Sequence, residues 1–314
     1  MANDSIFTTL GKNTLLYRTY TLNADLSATQ YLAETKFKVG INNATPDISD
    51  TDLTTVVPIG DGTVNDDGSN TLTGSNGGDN STDNTTTYKE GAGVTDVTAQ
   101  NLITNGTSAT KTWTIADIDI AGSDMSGTEP FGLWFYILDA TTLAFFKSSG
   151  TALSIRFRTN GDGATLYYEY VRTAAQLAVG WNWITSGLVN VADLSTGGGG
   201  APSGALDEFV ITVTTNNAAD DWTAADVIYD LLRQWAVADA TKVFQSGFPT
   251  LDYTNNQATT RCSLATTEAN GFLIGALGLF NEDSSILMLA EDVFDDESKS
   301  SSDEFSFIAI DTIQ

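Results

Sequence analysis

The chain has 314 residues, 41% of them hydrophobic, and sets 14 Lys and Arg against 40 Asp and Glu for a net charge of −26. A surface that negative repels phosphate backbones and anionic lipid, which argues against sequence-independent nucleic-acid binding and docking on acidic membranes. The absence of His removes the usual general base, the usual zinc ligand and any Ser-His or Cys-His triad. The single Cys, Cys262, cannot close an intramolecular disulfide, so stability must come from packing, and the apolar fraction is large enough for a core.

In chain order, Asp4 and Ser5 are capping candidates before Ile6, Leu10 and Leu15–Leu16, which recur at roughly helical spacing. No basic segment followed by an apolar one opens the chain, so no export signal is expected. Thr35–Ile41 alternates, with Phe37 and Val39 on one face and Lys36 and Lys38 on the other, and reads as a strand. Residues 60–87 are dense in Gly, Asn, Asp, Ser and Thr and read as a long loop or linker at a domain boundary. Asn80 and Asn84 sit there in Asn-x-Thr sequons, which matter only in a glycosylating host.

Residues 88–236 hold all six Trp and a series of short β-branched or aromatic runs: 131–138, 152–158, 165–172, 181–184, 207–213 and 226–232. Gly and Asn turns divide them, including Asn160–Gly163 and Gly197–Gly200, with no long helical pattern between. That is the signature of an antiparallel sandwich or barrel. Beyond it, 259–264, 272–280, 286–290 and 305–310 read as further strands. The acidic run Glu291–Glu304 reads as a solvated loop, and Cys262 as a buried small hydrophobe. The longest nearly apolar run, Gly271–Phe280, is about half the length of a membrane span, so no membrane insertion is expected. Negative excess is comparable along the whole chain, a composition that also suits a hypersaline habitat, where salt screens self-repulsion.

Two resemblances follow. FTTLGKNTLL, then TKFKVGINNATPDISDTDLTTVVP, within residues 7–58, resembles the N-terminal part of phage tail-collar or tail-fibre proteins, and GALGLFNEDSSILMLAE at 275–291 looks like a strand–turn–strand of the same family. Gly180–Ile184 (GWNWI), Leu206–Ile211 and Asp226–Leu232 are similar to lectin-like, carbohydrate-binding jelly rolls. Together these imply a mainly β protein: a jelly roll at 88–236 inserted into a small α+β or β anchoring domain made of 1–59 and 240–314. The implied role is structural, in the virion of a tailed phage or archaeal virus assembled in the host cytoplasm. It would be a tail fibre or collar protein that is not an enzyme and whose jelly roll adheres to host-surface glycan. Implied partners are other virion proteins and further copies of itself, a trimer if it belongs to a fibre. A capsid decoration or turret protein, a glycan-degrading enzyme and a cell-surface adhesin are the rival readings.

For the glycan site, alternation places Arg156 and Arg158 outward from one strand and Tyr167 and Glu169 outward from the next. Trp134 or Trp183 would complete a stacking platform, unless these rings fill the core. Glu169, Asp207, Glu208 and Asp230 are the carboxylates from which a glycosidase pair would be drawn, although solvated or turn carboxylates are the simpler reading. No cofactor is required. A structural Ca²⁺ would find oxygen donors in Asp117, Asp119 and Asp124, with Asn160–Asp162 and Asp220–Asp221 as alternatives; Ala121 and Thr128 exclude an EF-hand loop.

Overall fold

The computed structural model describes residues 6–7, 34–41, 46, 52–53, 55–60, 62–74, 79–89, 98–118, 124–160, 165–236, 240–252, 257–281, 288–300 and 302–312. The chain divides into two compact units. The first joins residues 1–61 and 91–93 to 237–314, and the second holds 62–90 and 94–236.

The first unit opens with β1 (Ile6–Phe7) and β2 (Glu34–Gly40). Ile6 and Phe7, expected to begin a helix, instead pair with Glu291 and Ala290. The remainder of that expected helix, Leu10 and Leu15–Leu16 included, lies outside the described residues.

The second unit follows with β3 (Thr63–Asp66), β4 (Thr73–Gly74), β5 (Asn80–Asn84), β6 (Ala99–Ile103), β7 (Thr110–Ile115) and β8 (Phe131–Ile137). A short helix α1 (Ala140–Phe145) is capped by Asp139, whose carboxylate accepts the Thr142 N–H at 2.8 Å. Then come β9 (Leu153–Arg158), β10 (Tyr167–Arg172), β11 (Gly180–Thr185), β12 (Ser195–Gly197), β13 (Glu208–Thr214) and β14 (Val227–Gln234). Their order in one curled antiparallel sheet is β11-β8-β14-β6-β5-β4-β7-β13-β9-β10-β12, with β3 on β14. The architecture is therefore mainly β, a sandwich of the jelly-roll class.

Alternation builds the sandwich core. Leu133, Phe135 and Ile137 of β8 and Val227 and Tyr229 of β14 share one apolar cluster with Ile155 and Phe157 of β9 and Phe209, Ile211 and Val213 of β13. Ring contacts tie the two halves of the sheet, Phe131 to Phe157 at 4.7 Å and Phe209 to Tyr229 at 5.5 Å between centroids. Trp113 and Trp222 belong to the same cluster, and Trp222 is fixed by its Nε1–H on the Leu102 carbonyl and by stacking on Phe146.

Residues 60–87 are not a linker. β3, β4 and β5 all lie within them, because their polar side chains find partners inside the unit. Ser81 Oγ accepts the Leu72 N–H at 2.6 Å, Gln100 Nε2 donates to the Gly68 carbonyl at 2.8 Å and to Asp83 at 2.9 Å, and Asn84 donates to Asn101 at 2.8 Å. A buried polar group is tolerated when its hydrogen bonds are satisfied, and here the satisfaction is non-local. Asn84 is thereby buried and cannot carry a glycan, while Asn80 is exposed.

The first unit resumes with β15 (Lys242–Val243), β16 (Thr250–Asp252), β17 (Gln257–Leu264), β18 (Leu273–Asn281), β19 (Met288–Ser298) and β20 (Phe305–Thr312). These form two antiparallel sheets, β1-β19-β18-β2-β15 and β16-β17-β20. The acidic run from Glu291, expected as a loop, continues β19 as far as Ser298: the ladder to β18 holds it extended while residues 295–298 keep their side chains in water. Cys262 is buried in β17.

β2 departs from simple alternation. Lys38 is buried along with Phe37 and Val39. Its ammonium meets Asp52 at 2.7 Å and lies 4.3 Å from the Phe280 ring centroid. Burial pushes the lysine below its ordinary pKa, and the Asp52 carboxylate works in the opposite direction. Gly40 closes the strand where a Cβ would stand 2.7 Å from the Thr55 carbonyl oxygen, so only glycine allows the backbone approach that pairs Gly40 with Val56.

Candidate functional site

The second unit carries a row of charged and aromatic side chains on the outer face of β13, β9 and β10. Cross-strand register sets Glu208 opposite Arg158 and Glu169 opposite Arg156. With Ile155 and Phe157 in the core, both arginines must point outward. Arg156 Nε reaches Glu169 Oε1 at 2.8 Å, and Ser154 Oγ donates to the same oxygen at 2.5 Å. Arg158 is paired with Glu208 through Nε and Nη2. The Arg156 guanidinium lies 4.4 Å from the Tyr167 ring centroid, a cation–π contact that orients both groups.

Tyr167 is placed by its neighbour across β10 and β12. It pairs with Gly197, and a Cβ on that glycine would fall 2.0 Å from the tyrosine ring. The ring thus lies against glycine backbone, which explains a glycine tract beside this strand.

Arg156, Arg158, Tyr167 and Glu169 are all half-buried and share one patch. Both contacts of Glu169 fall on Oε1, and Arg156 uses only its Nε. The carboxylate's second oxygen and the guanidinium's terminal nitrogens are therefore available to a ligand beside an aromatic ring. Planar forks next to a ring are the chemistry that reads vicinal hydroxyls and ring C–H groups of a sugar. Glu169 and Glu208 are each engaged by an arginine of β9, so this row is built from ion pairs and not from two carboxylates facing one another. Asp207 accepts the Asn160 N–H, and Asp230 on β14 accepts the Lys89 N–H, both at 2.5 Å.

Trp134 and Trp183 do not join this patch. They sit on β8 and β11, at the opposite end of the sheet order from β9 and β10, and are only 4% and 5% exposed. Buried rings offer no face to a sugar. They instead pack with each other at 4.9 Å, and Trp183 with Trp235 at 6.1 Å, in a second aromatic cluster. Lys89 Nζ lies 4.8 Å from the Trp134 ring centroid, and burial pulls this lysine below its ordinary pKa. Two half-buried rings were overlooked by sequence reasoning: Trp181 and Tyr136, directly paired across β11 and β8, with centroids 5.2 Å apart. The alternation in GWNWI already sets Trp181 on the same face as Trp183; nothing local distinguishes which of the two is covered.

Among the described residues, the calcium candidates do not assemble. Asp117 and Asp124 are exposed, Asp119 lies outside the described residues, and among the described residues no three His, Cys, Asp or Glu side chains form a cluster able to hold a metal. Asp220 is taken up by the Asn217 N–H and side chain. Asp221 accepts from Thr104 and is paired with buried Lys111 at 3.6 Å. Asn160 donates to the Ala116 carbonyl. Among the described residues, no helix is long and apolar enough to cross a membrane.

No family model and no curated protein matches this chain. Among solved structures, an arabinose-bound GH51 α-L-arabinofuranosidase is similar at 12% identity and a TM-score of 0.29, over 57% of this chain and 27% of that one. The chain thus spans about a quarter of that enzyme's length, and a likeness this slight carries no argument about function.

Proposed function

We propose that this chain is a structural component of a tailed-virus particle whose jelly-roll unit adheres to host-surface glycan. The observation that carries the adhesive half is the Arg156–Glu169–Tyr167 constellation: a planar fork, an acceptor and an aromatic ring fixed together on one rigid sheet face. Sites built on strands hold such geometry better than sites on loops. The virion half rests on the resemblance of residues 7–58 and 275–291 to tail-collar proteins. It is supported by the register that brings strands from these two distant segments into one sheet, Gly40 beside Ala276 and Val39 beside Leu277. Self-association, as a trimer in a fibre, and contacts with other virion proteins are part of the same proposal.

Immunogold labelling of intact particles, with an antibody against the second unit, tests the virion half. Label confined to the tail is the expected result. Label spread over the head would replace the fibre reading with a capsid decoration or turret protein. Particles without label would overturn the structural role altogether.

A further inference from the structure

The first unit has a groove of about 380 Å³ bounded by β19 and β20. Its apolar part is Leu277 of β18, Ile308 and three half-buried phenylalanines, with Phe294 and Phe307 5.4 Å apart and Phe305 edge-on to Phe307 at 6.1 Å. Its charged part is Asp292, Glu297 and Glu304, with no lysine or arginine in the lining.

The β20 side is lined by five consecutive residues, 304–308. Successive side chains of a strand point to opposite faces, so a groove touching every one of them runs along the strand's edge. That edge lies opposite β17, and among the described residues no strand pairs with it. The β19 side is similar: β1 covers only Ala290 and Glu291, and from Asp292 to Ser298 the described residues supply a partner on the β18 side alone. An unpaired edge with a row of N–H and C=O groups is a template for a further strand.

We infer that this groove binds an extended, cationic segment of a partner protein by strand addition to β20. The strand's backbone pairs with Glu304–Ile308, its apolar side chains settle on the three phenylalanines, and its Lys or Arg side chains meet Glu297, Glu304 and Asp292. Charge selects the occupant: a segment of this chain's own average composition, net −26 overall, would be repelled by the acidic rim, whereas a basic one is steered to it.

The test uses the full chain and a fluorescein-labelled peptide of about ten residues alternating Lys and Val, the length of a long strand. Fluorescence anisotropy is expected to show saturable binding that weakens by tenfold or more for Glu297→Lys/Glu304→Lys. It is expected to persist for Asp117→Lys/Asp193→Lys, which makes the same change in net charge at two exposed sites of the second unit. An alternating Lys and Ser peptide is expected to bind at least tenfold more weakly, for lack of apolar contacts. Hydrogen exchange should slow at residues 304–308 on peptide binding. Equal losses in the two double variants would reduce the effect to bulk charge and overturn the site. Protection away from β20 would overturn strand addition, and concentration-dependent self-association abolished by Glu297→Lys/Glu304→Lys would replace the basic partner with a second copy.

Discussion

The Tyr229 hydroxyl donates to Asp66 Oδ2 at 2.7 Å, joining the core of the jelly roll to a strand drawn from the most polar stretch of the chain. Asn70 Nδ2 donates to the other oxygen at 2.8 Å. Burial dominates these bonds and raises the Asp66 carboxyl to about 6, while its partner tyrosine is pushed well above the ordinary range.

The pH dependence follows from the direction of that shift. Between the ordinary carboxyl value of 3.8 and about 6, the native state holds a proton on Asp66 that the unfolded state releases. Its contribution to stability is complete below the lower value and is lost as pH rises through the upper, by about 3 kcal/mol. Asp66→Asn keeps an acceptor for Tyr229 and removes the charge. The variant should melt higher than the parent at pH 7 and differ little at pH 4. Denaturant titrations at the two pH values measure it, and a difference independent of pH would refute the assignment.

In the first unit, Lys38 and Asp52 respond asymmetrically. Asp52→Ala leaves a buried ammonium without its carboxylate and should cost about 2 kcal/mol. Lys38→Met replaces the lysine with an apolar chain of similar volume against Phe280 and should be close to neutral. Urea unfolding of both variants decides the point; similar losses would mean that the lysine stem, and not the charge pair, matters there.

Gly197 tests how the glycan face is assembled. Gly197→Ala places a methyl where the Tyr167 ring lies, so the ring must turn away and release its contact with Arg156. The stability cost should stay near 1 kcal/mol, since neither side chain is in the core. Ligand affinity should fall further than stability does. Ligand binding and thermal melting of Gly197→Ala, measured side by side with the parent, separate the two effects. A loss of affinity no larger than the loss of stability would contradict the placement of the ring.

Much of the second unit could be read from local pattern. LSIRFR and TLYYEYVR alternate cleanly enough to send Arg156, Arg158, Tyr167 and Glu169 outward, and the structure places them on one face. Their pairing is a matter of register between strands, which alternation does not encode. The strands of residues 60–87 escaped detection because Ser81, Asp83 and Asn84 are satisfied by Gln100 and Asn101, partners nearly twenty positions away. The acidic end of β19 escaped for the opposite reason: its side chains favour water, and only the ladder to β18 extends it. Trp134 and Trp183 show that an outward position in a strand does not guarantee an exposed ring, since their face carries a second cluster with Trp235.

Glycan-array binding of the full chain beside Arg156→Ala tests the adhesive role most directly. Arg156 is a half-exposed surface residue, so its loss should leave thermal melting nearly unchanged. The parent should bind a defined subset of glycans, and Arg156→Ala should bind the same subset at least tenfold more weakly, about 1.4 kcal/mol. A parent that binds no glycan, or a variant that binds as tightly as the parent, would contradict a glycan site on this face.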